Sequence, residues 1–176
     1  MLGDKRKYSI EKVGHRVLGI DYGERRIGLA ISDATRTLAR PLTTLVVSDP
    51  RDALARVTSE LARLAAEEDG LQTIVVGMPA KLDGTPSDQT RRVAAFVDAL
   101  AGTTGLPIVR VDERLTSREA ESRLAVSERD WRKRKKRLDA AAAAVILQEY
   151  LDQDQSGRSG GSGRSGGSGR SGGSGE

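Results

Sequence analysis

Three carboxylates carry the chemistry open to this chain. Asp21 stands in Leu18-Gly19-Ile20-Asp21-Tyr22-Gly23, Glu113 in Val111-Asp112-Glu113-Arg114-Leu115-Thr116, and Asp139 in Leu138-Asp139-Ala140-Ala141-Ala142. Asp21 and Glu113 follow short apolar runs that read as buried strands, and Asp139 opens an alanine-rich helix. A carboxylate at the end of a buried element is costly unless a cation or a hydrogen bond compensates it. Three of them on separate elements can converge on Mg²⁺, which takes hard oxygen ligands from one or two carboxylates, waters and phosphate oxygens. The chemistry this implies is phosphodiester hydrolysis.

The elements that must position these acids follow from hydrophobic periodicity. Arg16 to Asp21 reads as a central strand, Tyr22-Gly23-Glu24 as a turn, and Arg26 to Ser32 as the second strand of a hairpin. Leu38 to Val47 supplies a third strand, and Pro41 favours an edge position because it cannot donate to a ladder. The period then changes. Ser48-Asp49-Pro50 is a helix start, followed by Leu54, Val57, Leu61 and Leu64 at helical spacing, with Gly70 closing the segment. Thr73 to Val76 is a short β-branched strand. A helix over about Ser87–Leu100 buries Val93, Phe96, Val97 and Leu100, and the strand Ile108–Val111 leads to Glu113. Thr116-Ser117-Arg118-Glu119 matches a capping box, and the last helix runs from about Leu138 to Leu151. The expected fold class is α/β: a mixed sheet of three antiparallel strands and then parallel strands, with helices on both faces. In such sheets, sites gather at the carboxyl ends of strands, where Asp21 and Glu113 both lie.

Composition sets the limits. The chain has 176 residues, no cysteine and one histidine, His15. Disulfides, thiolate catalysis and cysteine-type zinc sites are therefore excluded. No apolar stretch approaches the roughly 20 residues that span a bilayer, and the N-terminus lacks a signal-peptide core, so a cytoplasmic protein without membrane association is expected. We divide the chain into a polar extension (1–15), a catalytic domain (16–152) and a flexible Gly/Ser/Arg-rich tail (153–176). The tail arginines Arg158, Arg164 and Arg170 fit either loose nucleic-acid contact or a plain solvated linker. The net charge of +4 is unevenly spread, because residues 129–137 (RDWRKRKKR) hold seven bases and one acid just ahead of Asp139.

Four segments, LGIDYGERRIGLAISD, VVGMPAKLDGT, VDERLTSREAE and RLDAAAAAVILQEYL, resemble in order the motifs of the YqgF/RuvX family, small bacterial proteins of the ribonuclease H-like fold. The likeness runs from about Val17 to Leu151. It implies a metal-dependent nuclease, with maturation of the 5′ end of pre-16S ribosomal RNA and resolution of Holliday junctions as the two roles proposed for the family. It carries over Asp21, Glu113 and Asp139 as catalytic and metal-binding acids, with Mg²⁺ as the ion and Mn²⁺ as a substitute. A paired-metal site, with ions about 3.5–4 Å apart, activates water and stabilises the leaving 3′ oxygen without a histidine or serine base. Two departures stand out: Lys81 occupies the family's usual Asn position, and alanines follow Asp139 where related resolvases carry a fourth carboxylate. Asp112 is the nearest spare acid, but successive strand residues point to opposite faces.

The nucleic-acid partner, pre-rRNA or branched DNA, calls for cations. The candidates are Arg132, Lys133, Arg134, Lys135, Lys136 and Arg137 as phosphate contacts, with Trp131 to stack on an unpaired base. Lys81 is a further phosphate candidate, and Arg26 and Arg114 either hold substrate or pair with an acid. A junction resolvase would require a two-fold homodimer, whereas a single-strand RNA nuclease would not. Two other classes compete. Asp21-Tyr22-Gly23 followed by Gly28 resembles the phosphate hairpin of actin-like ATPases, but those need two domains closing on the nucleotide. A non-catalytic assembly factor that binds nucleic acid would keep the basic run without needing the acids.

Overall fold

Alternation along the first strand decides how the sheet is covered. Leu18, Ile20 and Tyr22 belong to one apolar cluster, while Val17 belongs to another on the opposite side. The computed structural model describes residues 15–79, 85–112 and 131–159, with the side chains of 131–137 and 158–159 outside that description. Its strands are β1 (Arg16–Tyr22), β2 (Arg26–Ser32), β3 (Ala39–Val46), β4 (Leu71–Met78) and β5 (Ile108–Asp112). They form one sheet in the order β3-β2-β1-β4-β5. The β1–β2 and β2–β3 pairs are antiparallel, and β1–β4 and β4–β5 are parallel. This is the mixed sheet expected from the sequence. Pro41 lies on the edge strand β3, beside a register shift in its pairing with β2, where its missing N–H removes no interior ladder bond.

Two helices cover one face. Helix α1 (Pro50–Ala66) starts where expected, with Asp49 accepting from the backbone N–H groups of Arg51 and Asp52, and buries Ala53, Val57, Leu61 and Leu64. Helix α2 (Asp88–Ala101) is capped by Ser87, which exchanges hydrogen bonds with Thr90, and buries Val93, Phe96, Val97 and Leu100. The opposite face is covered by one long helix, α3 (Trp131–Ser159), through Ala143, Ile146, Leu147 and Leu151 packed on Val17, Ala30 and Val75.

Helix α3 differs from expectation at both ends. It begins at Trp131 rather than Leu138 and continues to Ser159 rather than ending at Leu151. Lys and Arg are good helix formers, and no proline or glycine interrupts the stretch until Gly157. Asp139 is therefore about two turns inside the helix and is not its N-cap. The first residues of the supposed tail are helical too, with the Ser156 hydroxyl donating to the Asp152 carbonyl at 2.8 Å. The expected helix at Thr116 lies outside the described residues, as do the N-terminal extension up to residue 14 and the tail beyond residue 159. Among the described residues no helix is long and apolar enough to cross a membrane.

Candidate active site

Strand parity sends Asp21 to the α3 side. Tyr22, its neighbour, faces the other way and stacks on Phe96 of α2 with ring centroids 4.5 Å apart. That contact fixes the roll of β1 at the residue where it matters. Asp21 pairs across the ladder with Gly28 of β2, and at Gly28 the main chain of helix α3 lies directly against the strand. A Cβ placed on Gly28 would lie 1.9 Å from the Asp139 carbonyl oxygen and 2.4 Å from its carbonyl carbon. A second close approach, at Gly19, would put a Cβ 2.8 Å from the Leu147 Cβ and 3.0 Å from the Ala143 carbonyl oxygen. Two glycines on adjacent strands and alanines along the helix thus let main chain meet main chain. This packing delivers Asp139 to Asp21.

The third member of the cluster is Arg26. Its Nε donates to Asp139 Oδ2 at 2.7 Å, a charge-assisted bond. The Arg26 main chain is held at the hairpin turn, where the Gly23 N–H donates to its carbonyl at 3.0 Å. Of the two roles left open for Arg26 by its position in the sequence, the geometry displays pairing with an acid. The link spans 113 residues, so no local spacing signals it. Gly28 was the detectable clue, since it shares a strand face with Arg26 and sits opposite Asp21.

Burial, and then the negative charge of Asp139, push the Asp21 carboxyl up from 3.8 to about 6. The folded chain therefore holds a proton on Asp21 that the unfolded chain has already lost, and stability falls as pH rises through the window from 3.8 to about 6. Above that window ionised Asp21 destabilises the metal-free fold by about 3 kcal/mol. We expect metal-free Asp21→Asn to resist denaturant better than wild type at pH 7.5, with the difference shrinking as pH drops below about 6. Urea titrations with chelator present measure it, and a pH-independent difference would contradict the assignment.

The residues fit a hard divalent cation. The carboxylates of Asp21 and Asp139, the second held by the Arg26 guanidinium, offer oxygen donors of the kind such an ion takes, and the Asp139 charge adds to burial in raising the proton affinity of Asp21. Among the described residues no third acid joins them as a metal-binding cluster. Glu113, Lys81 and Arg114 lie outside the described residues, and so do the side chains of Trp131 and of Arg132 to Arg137, although their main chain is helical. Asp112 is on the opposite face from α3, because Val109 and Val111 are the β5 residues that pack toward that helix.

A family model described as "RuvX: Holliday junction resolvase" matches residues 15–153. A Chloroflexus aggregans protein named "Putative pre-16S rRNA nuclease" is 44% identical over 136 residues, spanning 77% of this chain and 92% of the relative. A protein of the same name from Syntrophus aciditrophicus is 40% identical over 137 residues, spanning 78% of this chain and 88% of the relative. Among solved structures, Thermus thermophilus RuvC matches at 15% identity with a TM-score of 0.48, covering 80% of this chain and 96% of that one.

Proposed function

This chain belongs to the RuvX family, and from that premise we propose that it is a metal-dependent nuclease that processes the 5′ end of pre-16S ribosomal RNA. It is a hydrolase of phosphodiester bonds in nucleic acid, in keeping with relatives named "Putative pre-16S rRNA nuclease". The observation that carries the catalytic reading is the main-chain contact at Gly28, which sets Asp139 beside Asp21 on one sheet face. Asp21 and Asp139 would hold the ion, with Glu113 as the third ligand supplied by its position after β5. When bound, Mg²⁺ supplies activation of water and neutralisation of charge at the leaving oxygen. The chain's own contribution is placement. Asp21 must surrender its proton to act as a ligand, which favours neutral or higher pH, and α3 holds Asp139 rigidly while its main chain stays pinned to β2.

The basic run lies on the same helix, immediately ahead of Asp139. A phosphate backbone bound by Arg132, Lys133, Arg134, Lys135, Lys136 and Arg137 would be led toward the acids, with Trp131 as a base-stacking group and Lys81 and Arg114 as further cations. The resolvase role written into the family description is the second reading, and it predicts a two-fold dimer and symmetric nicks. Removal of the metal tests the shared chemistry. Cleavage of a pre-16S 5′-leader RNA should stop in excess EDTA and return when Mg²⁺ or Mn²⁺ is restored. Undiminished cleavage in EDTA would rule out the reading.

A further inference from the structure

Arg26 covers one oxygen of the Asp139 carboxylate. Its Nε lies 2.7 Å from Asp139 Oδ2, and both side chains keep contact with solvent, at 28% and 27% exposure. A pair buried to that degree is neither locked in by a dry interior nor washed out by water. Neither partner can withdraw through its main chain. Asp139 is held by the approach at Gly28, and Arg26 by the hairpin turn and its ladder position opposite Val46. Any rearrangement must come from side-chain torsions, and the long arginine stem has more of them than the aspartate. A divalent ion at the Asp139 carboxylate would also set two positive charges within a few ångströms of the guanidinium, a repulsion that is strong at protein dielectric.

We propose that Arg26 is a displaceable counter-cation: it holds Asp139 when no divalent ion is bound, and metal binding releases its guanidinium to take a phosphate of the nucleic acid. The inference rests on the metal-dependent nuclease reading and adds an order to it, metal first and arginine second. Released, the guanidinium remains tethered beside the acids on the α3 face and presents five N–H donors in the fork that suits phosphate oxygens. The same residue then opposes metal binding and favours substrate binding, so its removal should move the two affinities in opposite directions.

The test uses the full chain and its Arg26→Gln variant. Calorimetry with Mg²⁺ should show the variant binding metal about tenfold more tightly, the loss of one charge-assisted competitor. Binding of a leader-RNA oligonucleotide, with Ca²⁺ replacing Mg²⁺ to limit cleavage, should weaken about tenfold in the same variant. In wild type, the Arg26 Nε–H resonance should be protected from solvent exchange without metal and lose that protection at saturating Mg²⁺. This measurement does not depend on the variant folding. Equal or weaker metal affinity in the variant, affinities for metal and RNA that shift in the same direction, or an Nε–H that stays protected at saturation would each overturn the proposal. If wild type and variant both fail to bind divalent metal, the nuclease reading falls and this inference falls with it.

Discussion

Gly28→Ala should cripple this protein although the glycine carries no chemistry of its own. The added methyl would lie 1.9 Å from the Asp139 carbonyl oxygen and 3.0 Å from the Ala140 nitrogen. These are main-chain atoms that no rotamer change can clear, so helix α3 must lift or β2 must bend. Overpacking of this severity costs about 3 kcal/mol. For a domain of this size that lowers the melting midpoint by roughly 6–12 °C. The loss of activity should exceed the loss of stability. A misplacement of about 1 Å at a catalytic group can cost about a hundredfold in rate, and Asp139, the proposed ligand, is the residue that moves. Gly105→Ala is the matched control, because a Cβ there meets nothing within 4 Å. Calorimetry and single-turnover cleavage at a temperature where both variants are folded would check the pair. A fully active Gly28→Ala would mean that the close approach does not position the site.

The second large effect is expected at Asp21. Replacing it with Asn keeps the shape of the side chain, removes a charge that burial makes costly, and deletes the anionic ligand proposed at the centre of the cluster. Lewis-acid stabilisation is worth several kcal/mol and each 1.36 kcal/mol is tenfold in rate, so cleavage should fall roughly a thousandfold. The same substitution should stabilise the metal-free fold at neutral pH. A variant that is sturdier and inactive is the signature of a charge retained for function at the expense of stability. Simple unfolding would lower both quantities together. An assembly factor without catalysis would instead leave function intact in Asp21→Asn, and the measurement separates the two classes.

Much of this architecture was legible from the residues because the determinants are local. Asp49-Pro50 announces the start of α1, Pro41 announces an edge strand, and the alternation of Leu18, Ile20 and Tyr22 against Val17, Gly19 and Asp21 announces which face each side chain meets. Local rules failed where a helix former is also a charge carrier. Arg132 to Arg137 reads as a solvated loop by charge and as a helix by propensity, and tertiary continuity with the alanine stretch resolves it as helix. Asp139 was identifiable as a candidate, yet its placement two turns inside α3 was not, because the start of the helix was hidden in that same run. The Arg26–Asp139 pair joins a hairpin turn to a helix 113 residues later, a relation that only the folded chain displays. The close approaches at Gly19 and Gly28 are of the same kind. A glycine in a strand signals that something comes near but does not say what.

The most direct measurement is product mapping in Mg²⁺ for wild type and Asp21→Asn, on a pre-16S 5′-leader RNA and on a four-way DNA junction in parallel. Wild type should make discrete cuts in the leader RNA, the variant none at matched binding, and neither should make paired symmetric nicks in the junction. Paired nicks in the junction alone would give the site to DNA resolution. Equal cleavage by wild type and Asp21→Asn, or binding of both substrates with no cleavage of either, would contradict the assignment of Asp21 and Asp139 as the centre of a nuclease.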